Sequence, residues 1–76
     1  MQLEILTPDK TLYSGIVTSV IFPGTDGTFQ ILNNHAALVA SLKKGAINIK
    51  STNGDEQLEI NGGVVEVLND KIVVLV

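Results

Sequence analysis

A chain of 76 residues with no cysteine, no arginine and a net charge of −3 has room for one small domain. A disulfide framework and a thiolate zinc site are excluded, and the counterion release that drives nucleic-acid binding lacks its basic surface. No apolar run approaches the roughly 18–20 residues that span a bilayer. The opening Met1-Gln2-Leu3-Glu4 has neither the basic region nor the cleavage site of a signal peptide. The expectation is a soluble cytoplasmic domain that reaches a membrane only through a protein partner. At 45% hydrophobic but only 4% aromatic, its core must be built from Val, Ile and Leu.

Hydrophobic residues recur mostly with period two, the mark of strands half-buried in a sheet. Leu3 and Ile5 alternate with Gln2, Glu4 and Leu6 before the turn composition Thr7-Pro8-Asp9-Lys10. Residues 11–22 then read as one long strand in which Val17, Ser19 and Ile21 face one way and Ile16, Thr18, Val20 and Phe22 the other. Gly15 within it predicts a bulge or bend. Pro23-Gly24-Thr25-Asp26-Gly27 is the strongest loop signal, followed by a short strand through Phe29, Ile31 and Leu32 that closes at Asn33-Asn34. Further on, Ala46-Ile47-Asn48-Ile49-Lys50 alternates cleanly. It leads through Ser51-Thr52-Asn53-Gly54-Asp55 to a hairpin partner at residues 57–60. Asn61-Gly62-Gly63 punctuates again, as a bend or bulge, before a strand over residues 64–68. Asn69-Asp70 turns the chain into a last strand, residues 71–76, whose apolar end is best paired inside a sheet.

One segment resists this pattern. Residues 35–42, HAALVASL, are rich in helix formers and make either a two-turn helix capped by Gly45 or an extended stretch. Eight residues are few for an isolated helix, and everything around them is β. Strands of four to eight residues at such spacing predict an all-β fold: a flattened β-sandwich of short, mostly antiparallel strands in a single domain, residues 1–76.

Little here suits catalysis. His35 is the only histidine, so a metal site has no second imidazole or thiolate to complete it. Asp26-Gly27 does not continue into a calcium loop. Ser14, Ser19, Ser41 and Ser51 lack a nucleophile elbow, and Gly62-Gly63 precedes no helix that could cradle a phosphate. Catalytic, metal and cofactor residues are all expected to be absent. Two stretches suit binding instead: the segment from Pro23 to Gln30, expected to project from one end of the sheet, and residues 35–42. The small side chains Ala36, Ala37, Ala40 and Ser41 of the latter admit close approach by a partner backbone.

At these residues the sequence resembles the epsilon chains of F-type ATP synthases. The resemblance is carried by Leu3-Glu4-Ile5-Leu6-Thr7-Pro8-Asp9-Lys10, Leu12-Tyr13-Ser14-Gly15 and Pro23-Gly24-Thr25-Asp26-Gly27 with Phe29-Gln30-Ile31-Leu32. It continues through Asn34-His35-Ala36-Ala37-Leu38, Leu42-Lys43-Lys44-Gly45 and Asn61-Gly62-Gly63-Val64-Val65-Glu66-Val67, in order along nearly the whole chain. Family members usually carry glycine where Gln30 stands and proline where Ala37 stands. Most also continue into an alanine-rich helical hairpin that has no counterpart here. The resemblance therefore implies the N-terminal sandwich alone, a non-catalytic element of the central stalk that joins the gamma subunit to the c-ring. By motif, Thr25, Asp26, Gly27, Thr28, Phe29 and Gln30 would face the c-ring. His35, Ala36, Leu38 and Ala40 would face gamma, with Thr7 near that surface. Without the hairpin no nucleotide binding is implied, and the location implied is peripheral, on the cytoplasmic face of the cell membrane.

Two other classes compete with that reading. A lipoyl- or biotinyl-type carrier is also small and all-β, but it presents its lysine at the tip of a mid-chain hairpin. Here that tip, Ser51-Thr52-Asn53-Gly54-Asp55, has none. A generic sandwich interaction module shares the fold expectation, and an enzyme would have to use His35 as a base beside Asp26.

Overall fold

A computed structural model describes residues 1–76. The chain forms seven strands and no helix: β1 (Gln2–Leu6), β2 (Thr11–Ile16), β3 (Ser19–Gly24), β4 (Gly27–Leu32), β5 (Leu38–Ser51), β6 (Gly54–Leu68) and β7 (Lys71–Leu75). They join into one sheet in the order β2-β1-β7-β6-β5-β3-β4. Every pairing is antiparallel except that of β1 with β7. The last strand is therefore interior to the sheet, as its apolar composition requires.

The register divides this sheet into two layers. One holds β2, β1, β7, residues 64–68 of β6 and residues 38–42 of β5. The other holds residues 54–60 of β6, residues 45–51 of β5, β3 and β4. No helix is present to cover a sheet face, yet Leu3, Val20, Phe22, Ile31, Ile47, Ile72 and Val74 are all fully buried. They belong to one cluster drawn from both layers, so the two halves of the sheet cover each other as a β-sandwich.

The long strands β5 and β6 carry the sheet around the corner. Leu42 and Ile47 both point into the core, as do Ile60 and Val65. An odd interval between inward residues means that each strand turns over once between the layers. In β6 the turnover falls at Gly62 and Gly63, with φ of 139° and 153°. A Cβ on Gly63 would strike the Leu75 carbonyl, so only glycine lets β7 close against the corner. No residue is inserted: Lys43↔Gly62 and Gly45↔Ile60 keep one register. Asn61-Gly62-Gly63 is a bend inside a single strand rather than a boundary between two.

Two further expectations are corrected, and one alternative left open is decided. The predicted strand over residues 11–22 is two strands separated at Val17 and Thr18. The Val17 N–H donates to the Met1 carbonyl and the Thr18 N–H to the Lys50 carbonyl, so consecutive residues bond to different layers. That crossing breaks the alternation, leaving Val17, Ser19 and Val20 all buried. Gly15 makes no bulge: it pairs in register with Leu3, and the one irregularity of that ladder lies between Ile5 and Leu6. The Tyr13 ring lies over the space where a Gly15 side chain would sit, 3.6 Å from that position. Finally, residues 35–42 contain no helix. Residues 35–37 are irregular, and β5 begins at Leu38.

Candidate interaction surfaces

The predicted loop from Pro23 to Gln30 is a tight hairpin. Pro23 and Gly24 end β3, only Thr25 and Asp26 form the turn, and Gly27 begins β4. Proline fits β3 here because the ladder with β5 is interrupted between Ile21 and Gly24, where no backbone donor is demanded. Of the six residues implied to face the c-ring, Thr25, Asp26, Gly27, Thr28 and Gln30 are exposed. Phe29 turns inward and stacks on Phe22, with ring centroids 5.5 Å apart and planes inclined by 29°. A Cβ on Gly24 would lie 2.5 Å from the Gly27 carbonyl and 2.8 Å from the Phe29 ring, so the hairpin closes only around glycine.

The residues implied to face gamma divide by environment. His35 and Ala36 are exposed in the connection between β4 and β5, and His35 Nδ1 lies 2.7 Å from the Ala36 carbonyl. That oxygen only accepts, so Nδ1 is the donor in this contact. The connection is anchored where the Asn34 N–H donates to Asp70 Oδ1 at 3.4 Å. Leu38 and Ala40 begin β5 as inward-pointing, half-buried residues packed against the core. Thr7 stands apart. Three strand spacings separate β1 from β5 in the layer, about 14 Å at some 4.8 Å each. Its hydroxyl holds its own turn, accepting from the Asp9 N–H at 3.2 Å and the Lys10 N–H at 3.0 Å.

The structure brings the two remaining sets together. A groove of about 330 Å³ has Gly24, Thr25, Asp26, Gly27 and Phe29 on one wall and residues 38–41 on the other. The Thr25 N–H donates to the Ser41 carbonyl at 3.0 Å and fixes the spacing of the walls. No group of three or more His, Cys, Asp or Glu side chains converges anywhere. His35 and Asp26 do not meet: Asp26 lines the groove and His35 does not. The ion pairs are Met1 ammonium–Asp70 at 3.7 Å and Lys71–Glu4 at 3.5 Å, and neither touches the groove. Its geometry suits the seating of a peptide segment rather than proton transfer.

A family model described as the ATP synthase, Delta/Epsilon chain, beta-sandwich domain matches residues 1–76. The chain belongs to that family. The ATP synthase epsilon chain of Chlorobium limicola is 45% identical over 75 residues, spanning 97% of this chain and 85% of the relative. That of Sulfurimonas denitrificans is 44% identical over 77 residues, spanning 100% of this chain but 59% of the relative. Family members thus differ in how much they carry beyond the sandwich. Among solved structures, a chain of the Euglena gracilis mitochondrial ATP synthase OSCP/F1/c-ring assembly superposes with a TM-score of 0.88 at 20% identity. It is matched over 96% of this chain and 48% of its own length. A chain of the Tetrahymena thermophila mitochondrial ATP synthase central stalk/c-ring gives 0.81 at 18% identity, over 97% of this chain and 60% of its own. At those identities the likeness speaks for the fold alone, and it is the sandwich of this family.

Sequence reasoning found both walls of the groove but not the groove. Its signal is the Thr25–Ser41 hydrogen bond, a pairing of residues 16 apart that no local pattern announces.

Proposed function

We propose that the protein is a non-catalytic rotor subunit of an F-type ATP synthase, a body seated in the central stalk between gamma and the c-ring. The observation that carries this reading is family membership over all 76 residues, supported by 45% identity to an ATP synthase epsilon chain over 97% of the chain. The physical form agrees. A coupling element must pass torque between two partners, so it needs a stiff body and separate contact surfaces. Close-packed aliphatic interiors are weakly compressible, and here both layers share a single core.

In this reading the hairpin tip and outer edge of β4 meet the c-ring through Thr25, Asp26, Gly27, Thr28 and Gln30, with Phe29 bracing the hairpin from within. His35, Ala36, Leu38 and Ala40 meet gamma. Thr7 takes part only if gamma spans the whole layer. The subunit sits peripherally on the cytoplasmic face of the membrane that holds the ring, and it binds no nucleotide through the sandwich.

Capture of recombinant gamma subunit tests the assignment. Ala36 is the informative position because it is exposed, whereas a bulky residue at the half-buried Ala40 would disturb the core. Ala36→Trp should leave the fold intact and weaken capture about tenfold or more, the loss of roughly one well-packed contact. Failure of the unsubstituted chain to capture gamma overturns the reading.

A further inference from the structure

Residues 38–41 of β5 form a free sheet edge. They pair with β6 on one side, Leu38↔Val67 through Ser41↔Val64. On the other side the pairing with β3 ends at Gly24↔Leu42. Beyond it a single rung continues, the Thr25 N–H to the Ser41 carbonyl. Backbone groups of successive strand residues point alternately to opposite edges. Ser41 points to the groove, so Val39 does too, while Leu38 and Ala40 bond toward β6. The Val39 side chain is 69% exposed. Its N–H and C=O therefore face an open groove with the hairpin as the opposite wall.

We infer that gamma binds this groove by strand addition, laying an extended segment along the free edge of β5 and bonding to the backbone of Val39. This rests on the rotor reading above and specifies how that contact is made. The occupant is an extended peptide because only a strand offers a donor and an acceptor at the spacing an edge presents. The residue opposite Val39 supplies one carbonyl and one N–H. A neighbouring apolar side chain of the segment enters beside Phe29 and Leu38, which line the groove. The small side chains of Ala36 and Ala37, just before the edge, leave room for the incoming backbone. The existing Thr25–Ser41 rung sets its direction of approach.

The test exploits the alternation. Proline at position 39 removes the Val39 N–H, which faces the groove, and none that bonds to β6, a placement that edge strands tolerate. Val39→Thr keeps that N–H and nearly the same side-chain shape. Both variants and the parent chain are titrated with recombinant gamma, with folding checked by amide dispersion. In parallel, hydrogen exchange at the Val39 amide is followed with and without gamma. Strand addition predicts affinity about tenfold or more weaker for Val39→Pro than for Val39→Thr, and slowed exchange at Val39 in the parent complex. If gamma binds all three chains alike and Val39 exchanges at one rate free and bound, strand addition is wrong while the rotor assignment stands. Should the parent chain itself fail to bind gamma, both fall. The exchange measurement decides the matter even if Val39→Pro does not fold.

Discussion

Two single residues show how narrowly this small fold is specified. Gly63 sits at the corner with φ of 153°, and any side chain there meets the Leu75 carbonyl. Gly63→Ala should cost about 2–4 kcal/mol, combining backbone strain with a contact that cannot relax unless β7 moves. Domains of this size hold roughly 4–11 kcal/mol in all, so a marked fall in the urea midpoint is expected. Thr7 makes the opposite case. Its hydroxyl accepts two backbone N–H groups of a surface turn, and Thr7→Val should cost about 1 kcal/mol. Capture of gamma should be unchanged by it, because Thr7 is three strands from β5. A loss of capture with stability intact would instead make Thr7 part of the contact surface.

At the scale of elements, β7 is the strand on which the sheet depends. It bonds to β6 on one side and to β1 on the other, with Ile72 and Val74 fully buried and Val73 on the outer face. An aspartate at Val74 would bury an unpaired carboxylate, whereas threonine at Val73 keeps β-branching on the outer face. Circular dichroism should show Val74→Asp unfolded and Val73→Thr folded with a midpoint within about 1 kcal/mol of the parent. Period-two alternation reads directly in residues 2–6 and 46–50, whereas the wholly apolar end of the chain announces an interior strand without saying which side chains point inward. Where alternation failed, the cause was long-range. Val17 and Thr18 look like mid-strand residues since nothing between Ile16 and Ser19 resembles a turn. Only their bonds to Met1 and Lys50 reveal the crossing. Residues 38–42 favour helix by composition, but pairing with residues 63–67 decides for strand. Asn61-Gly62-Gly63 looks like a boundary for the same reason that it works as a corner, since glycine serves both. The candidate groove was half legible: its two walls were singled out, but their apposition depends on the Thr25–Ser41 rung.

For the whole molecule, the strand order predicts how the chain folds. Four hairpins join residues close in sequence, at β1–β2, β3–β4, β5–β6 and β6–β7. The parallel ladder of β1 with β7 instead pairs Gln2 with Lys71 and Leu6 with Leu75, bringing opposite ends of the sequence together. Folds dominated by such distant pairings fold in milliseconds to seconds. Stopped-flow refolding followed through Tyr13 should give one exponential phase in that range. With both layers sharing one core, it should match the phase seen by far-ultraviolet circular dichroism.

The last strand of the sandwich lies inside the sheet, between β1 and β6, and that has a consequence during translation. Until β7 emerges from the ribosome, β1 and β6 each present a bare hydrogen-bonding edge beside Leu3, Ile5, Val65 and Val67, apolar side chains still awaiting their cover. A nascent chain in that state is the form most prone to stick to its neighbours. A slowly translated message, or one truncated before Lys71, should accordingly load cells with insoluble product rather than with a stable fragment.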